Sequence, residues 1–149
     1  MSNQRLIINP SFKLLTATAK LPKKVEPGSV GFDLFADEDA FLQPGEFRAI
    51  SLGLASELPY DMEGQIRPRS GLAYKYGVTV LNAPGTIDSS FRGTWKVILI
   101  NHGKTNSQVK VGDRIAQVIF APALNPYVVQ ATELSDSERG EGGFGSTGK

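Results

Sequence analysis

The sequence predicts an all-β protein: a jelly-roll-like sandwich or barrel with one short helix and a flexible C-terminal arm. Three observations carry this prediction. Short apolar or alternating segments recur along the chain, divided by Gly and Pro turn residues. The 16 glycines and 9 prolines leave little room for long helices. Patterning fades from about Pro122, and residues 135–149 read as a glycine-rich arm leaving the body.

The elements follow in order. Residues 12–18 mix apolar and Thr positions. Residues 47–54 alternate, with Phe47, Ala49 and Ser51 opposite Arg48, Ile50 and Leu52. Further strands are expected at residues 64–67, 78–81, 95–100 and 114–121. Turns are expected at Pro27-Gly28, Pro44-Gly45, Pro84-Gly85, His102-Gly103 and Gly112-Asp113. The best helical segment is residues 70–76, about two turns, with Ser70 placed as its N-cap. His102, the only histidine, sits in Asn-His-Gly and reads as a turn residue rather than a catalyst.

With 149 residues and 16.1 kDa the chain is long enough for one domain with a core, expected over residues 1–134. A net charge of +1 gives no broad field for nucleic acid or an anionic membrane, so any phosphate site must be local. The absence of cysteine excludes disulfides and thiolate metal sites. Leu6-Ile7-Ile8 before Pro10 is too short for a signal peptide, and no run approaches the ~20 apolar residues of a membrane span. The expectation is a soluble, cytoplasmic protein. Residues 95–100 are nearly continuously apolar apart from Lys96, and residues 118–121 are similar. Such strands are covered on both faces or lie at a subunit interface, a mild hint of an oligomer.

Four internal segments place polar residues among glycines beside apolar runs. In residues 31–36, GFDLFA, Asp33 is a costly carboxylate unless paired or near a metal; the plain alternative is a turn-capping Asp. In residues 67–73, RPRSGLA, the side chains of Arg69 and Ser70 and the Gly71 amide meet at a helix start, suited to an anion or to ordinary capping. In residues 81–95, two strands flank Pro84-Gly85 as a hairpin whose backbone could read a flat base, with Asp88 following apolar Ile87; the alternative is a plain hairpin with a solvated Asp. In residues 112–119, Gln117 lies among apolar strand residues and needs partners, which backbone groups alone could supply.

The arm adds phosphate and base chemistry. Arg139 offers a fork for a terminal phosphate, Ser146, Thr147 and backbone N–H groups can meet phosphate oxygens, and Phe144 offers a stacking face. A disordered glycine-rich tail is the alternative reading. Residues 143–149 spell G-x-x-x-x-G-K, but no hydroxyl follows Lys149 and no helix opens there, so a P-loop is rejected.

In this order, the four segments and the tail resemble the trimeric dUTPase (dUTP diphosphatase) family from Gly31 to Gly148, with residues 68–73 and 140–148 the most specific pieces. The resemblance implies a homotrimer with three shared active sites. One subunit would supply the Asp33, Ser70 and Gln117 segments, a second the Asn82 to Phe91 segment, and a third the arm. It implies Mg²⁺-dependent hydrolysis of dUTP to dUMP and pyrophosphate, which keeps uracil out of DNA and supplies dUMP for thymidylate synthesis. Asp88 would be the general base, and Asp33 would reach Mg²⁺ through water. Arg69, Ser70, Gly71 and Gln117 would position phosphates, while Asn82, Gly85 and Ile87 would shape the uracil site. Phe91 would lie under the deoxyribose. Arg139, Phe144, Gly145, Ser146 and Thr147 would close over the substrate.

Two departures stand out. The family usually has Tyr at Phe91, and many members have Asp at Ser90. Phe91 keeps the ring without the hydroxyl, so the preference for a 2′-deoxy sugar is expected to survive in weakened form. The nearest enzyme rival, dCTP deaminase, shares the trimeric fold but would need a carboxylate aimed at cytosine C4 and a pocket for an exocyclic amine. A non-catalytic, nucleotide-responsive regulator is the rival of another class, and the intact Asp33, Ser70, Asp88, Gln117 and Arg139 argue against it.

Overall fold

The computed structural model describes residues 9–146 and 148. Thr147 lies outside them. The elements are β1 (Ser11–Leu14), β2 (Phe32–Phe35), β3 (Ala40–Leu42), β4 (Phe47–Ser51), β5 (Leu54–Glu57), β6 (Met62–Arg67), α1 (Ser70–Tyr76), β7 (Val78–Val80), β8 (Gly85–Ile87), β9 (Lys96–Asn101), β10 (Ser107–Val109) and β11 (Arg114–Pro122). They form a jelly-roll-like β architecture. Sheets of order β2-β11-β6-β8 and β4-β9-β7 form its larger parts, and the pairs β1-β5 and β10-β3 the smaller. Every strand pair is antiparallel.

The nearly continuous apolar runs are explained by position. β9 lies between β4 and β7, and β11 between β2 and β6, so both strands are central and covered. Trp95, Val97, Leu99, Ile115 and Val118 are buried with Leu34, Leu42, Ile50, Leu52 and Leu54 in one core. Burying each such side chain stabilises the fold by about 1.5–3 kcal/mol before entropy is counted. Trp95 satisfies its indole by donating to Ser56 Oγ at 3.0 Å, and Phe12 packs edge-on against it at 5.4 Å.

The structure corrects three local expectations. The alternating run over residues 47–54 is two strands, β4 and β5, because Gly53 turns the chain at φ 64°, and a Cβ there would collide with Asp37. Helix α1 spans the expected residues, but its N-cap is Arg69 in an extended conformation with no side-chain capping bond, so Ser70 is the first helical residue. The helix ends at Gly77, whose left-handed backbone (φ 67°) lets its N–H reach Ala73 O at 3.0 Å. Finally, β7 and β8 do not make a hairpin. β7 pairs with β9 and β8 with β6, so residues 81–84 cross from one sheet to the other. Local turn chemistry marked the bend, but strand partnership is a long-range choice.

Beyond β11, Ala123 N–H bonds to Asp61 O at 2.8 Å, and no further strand or helix occurs among the described residues. Leu124, Tyr127, Val128, Val129 and Leu134 are all exposed, Val128 at 96%. No helix among the described residues is long and apolar enough to cross a membrane.

Candidate active site

Asp33 sits in the middle of β2, between Phe32 and Leu34, and is only 8% exposed. Two guanidiniums offset the cost of burying its carboxylate. Arg69 Nε lies 3.2 Å from Oδ1, and Arg114 Nη1 lies 3.3 Å from Oδ2. Arg69 Nη1 also donates to Arg114 O at 3.1 Å, tying the start of α1 to the start of β11. Each guanidinium keeps further N–H groups that these bonds do not use, so the cluster can still meet an anion.

Strand register completes this group. Lys23 pairs with Asp33 in an isolated bridge, Asp33 with Gln117, and Gln117 with Arg67, which puts the four residues in one row on one sheet face. The Gln117 amide donates to Pro68 O at 2.9 Å, so this half-buried glutamine fixes the strand that leads into Arg69. Gly31 lies directly beside it, and a Cβ there would push the Gln117 amide aside. A cavity of about 260 Å³ opens on one side of the ion pairs, lined by Lys23, Lys24, Asp33 and Arg114. Ser70 and Gly71, both exposed, follow Arg69 directly.

A second group forms along β8 and the loop after it. Asn82, Gly85, Ile87 and Lys96 line a narrow cavity of about 70 Å³. Gly85 is buried, and a Cβ on it would stand 3.3 Å from Ile66 and 3.5 Å from Asn82 Nδ2, so glycine lets the strand approach both. Asp88 and Phe91 line an adjoining cavity of about 290 Å³ with Thr86, Ile87, Thr94 and Lys96. Asp88 is exposed and, among the described residues, has neither an ion pair nor a side-chain hydrogen bond. It is a carboxylate left available, in contrast to Asp33.

The arm forms the third group. Arg139 Nε donates to Gly142 O at 2.7 Å, and Ser146 N–H to Gly143 O at 3.0 Å. Phe144 is fully exposed with φ 50°, and Gly145 follows with φ 80°. No hydrogen bond or ion pair joins these arm side chains to the body among the described residues. Within one chain, therefore, the site residues form three separate groups.

The described residues contain no cluster of three or more His, Cys, Asp or Glu that could hold a metal. A resident ion caged by protein groups alone does not fit this donor set. A cation carried on a polyphosphate, with Asp33 contributing through water, does fit, because each Asp33 oxygen retains acceptor capacity beside its guanidinium.

The model of the dUTPase family matches residues 17–148. The chain belongs to the dUTPase family. A deoxyuridine 5'-triphosphate nucleotidohydrolase of Nautilia profundicola is 51% identical over 137 residues, covering 92% of this chain and 96% of that one. The protein of the same name from Clostridium tetani is 52% identical over 137 residues, covering 92% and 94%. Among solved structures, the Staphylococcus bacteriophage 80alpha dUTPase with dUPNHPP superposes with a TM-score of 0.88 at 27% identity, covering 95% of this chain and 99% of that chain.

Arg114 and Arg92 were not singled out from the sequence of this dUTPase-family chain, yet each makes polar contacts beside a site group. Arg114 had a signal, since it opens an apolar strand two residues after Gly112, but only the structure pairs it in register with Phe35, close to Asp33. Arg92 had none, because its hydrogen bonds go to backbone carbonyls and its one ion pair among the described residues is with the distant Glu57.

Proposed function

We propose that this chain hydrolyses dUTP to dUMP and pyrophosphate as a homotrimer, by in-line attack of water on the α-phosphorus. The observation that carries the reading is the exposed, unpaired carboxylate of Asp88 bordering the same cavity as Phe91. Asp88 orients the water and takes its proton, a contribution of roughly 10²–10⁴-fold for a positioned base. Arg69, held by Asp33, and the Ser70 and Gly71 segment beside it bind phosphate oxygens. Gln117 keeps that segment in place through Pro68 O.

Asn82 and backbone groups around Gly85 pair with the uracil edge, where cytosine would leave buried polar groups unmatched; such sites reject by ~10⁴–10⁵. Phe91 packs under the deoxyribose. Arg139, Phe144, Gly145, Ser146 and Thr147 close over the bound nucleotide and exclude water. Asp33 would hold Mg²⁺ through water, and the ion would supply charge neutralisation on the triphosphate.

Shared sites account for the separation of the three groups. The arm makes no polar contact with its own body among the described residues, and the segment that leads to it leaves Leu124, Tyr127, Val128 and Val129 exposed. Residues 135–149 then act as a lid on a neighbouring subunit, with residues 1–134 as the body.

The test is pyrophosphate release with Mg²⁺ from dUTP, dCTP, dTTP and UTP in parallel, with Asp88→Asn as control. Release from dUTP alone, lost in the variant, is the expected result. Ammonia released from dCTP without pyrophosphate would replace the hydrolase by a deaminase.

A further inference from the structure

The loop carrying Asp88 and Phe91 is held by the two residues that follow it. Arg92 Nη1 donates to Ser89 O at 2.6 Å and to Phe91 O at 3.2 Å, while its Nη2 lies 3.5 Å from Glu57 Oε1 at the end of β5. Phe91 N–H returns to Asp88 O at 3.1 Å and closes a turn. The pair with Glu57 is weak, because the two side chains are 53% and 71% exposed. The charge-assisted bonds to two carbonyls are the stronger restraint.

Gly93 serves a different part of the same loop. A Cβ built on it would stand 2.7 Å from Phe91 Cζ and 2.8 Å from Cε2, so the ring lies directly against the glycine backbone. Phe91 has no hydroxyl with which to anchor its tip, and contact with Gly93 sets where the ring rests. The obstructed atoms are the far end of a side chain that is 40% exposed. A methyl group at Gly93 would therefore turn the ring and leave the fold nearly untouched.

We propose that Gly93 and Arg92 are specificity-determining positions. Gly93 seats the Phe91 ring that excludes a 2′-hydroxyl, and Arg92 fixes the turn that presents both this ring and Asp88. The inference rests on the placement of Phe91 under the sugar given above. Arg92 is a positioning residue, since it acts through Ser89 O and Phe91 O.

The experiment measures kcat and KM for dUTP and for UTP, with melting temperature, in the unmodified protein and in Gly93→Ala, Arg92→Lys and Glu57→Gln. Gly93→Ala is expected to keep its melting temperature and lose roughly tenfold in the dUTP-to-UTP ratio of kcat/KM, as displacement of a positioning group by a fraction of an ångström implies. Arg92→Lys keeps the charge but lacks the fork. Its kcat on dUTP and its dUTP-to-UTP ratio should fall together, by about tenfold to a hundredfold. Glu57→Gln, which removes only an exposed ion pair, should change neither by more than about twofold. An unchanged ratio in both Gly93→Ala and Arg92→Lys overturns the inference while leaving dUTP hydrolysis standing, and so does a lower melting temperature without a change in ratio. Loss of dUTP hydrolysis in the unmodified protein overturns both readings.

Discussion

Arg69 Nε lies 3.2 Å from Asp33 Oδ1, joining the residue that caps helix α1 to a strand in the four-stranded sheet. The pair means that the segment proposed to bind phosphate is positioned by an acid, not by a side-chain helix cap. Arg114 shares the other oxygen at 3.3 Å, so one carboxylate aligns two cations.

Asp33→Asn should therefore weaken the fold and the proposed phosphate site together. Asp33 is nearly buried, but the Arg69 and Arg114 side chains are 25% and 47% exposed, and solvent screening reduces the effect. The expected loss is about 1–2 kcal/mol, below the 3–5 kcal/mol of a fully buried pair. Urea denaturation gives the first quantity. Steady-state kinetics should show a raised KM for dUTP.

Asn101, fully buried at the end of β9, supports three backbone groups. Its amide donates to Leu42 O at 3.0 Å and Thr105 O at 2.8 Å, and its oxygen accepts from Gly103 N–H at 2.8 Å. Asn101→Ala strands these groups, each at about 1–3 kcal/mol. A total loss of at least ~2 kcal/mol should lower the melting temperature by roughly 4–8 °C, measured calorimetrically at fixed protein concentration.

Glu46 gives a pH signature. The Gln43 N–H donates to its carboxylate at 2.9 Å and holds the group below its ordinary value of 4.5; partial burial opposes this, and Arg48 adds to it. A depressed folded value stabilises the protein at pH above 4.5 and loses that effect as pH falls through the folded value. Melting curves of Glu46→Gln should lie below those of the parent protein at neutral pH. The two should converge in acid.

Phe144 is fully exposed, so Phe144→Ala should leave the melting temperature unchanged. If its ring stacks on uracil, the loss of ~1–3 kcal/mol lowers kcat/KM for dUTP by about 5- to 150-fold. Equal kcat/KM in the two proteins would remove the ring from the site.

The sequence alone determined the all-β class, the helix at Ser70–Tyr76 and the family, because these depend on local periodicity, turn residues and motif order. Only the tertiary structure decided how they are joined. β7 and β8, adjacent in the chain around Pro84-Gly85, enter different sheets because each finds its hydrogen-bond partner in a strand distant in sequence. Asp33 was legible as a carboxylate needing a partner, but the choice between a cation and a turn fell to Arg69 and Arg114, which antiparallel register and chain reversal bring to it. Arg92 and Gly93 left no trace in the pattern, since one binds backbone carbonyls and the other acts by the side chain it lacks. Such roles exist only once the chain has turned back on itself.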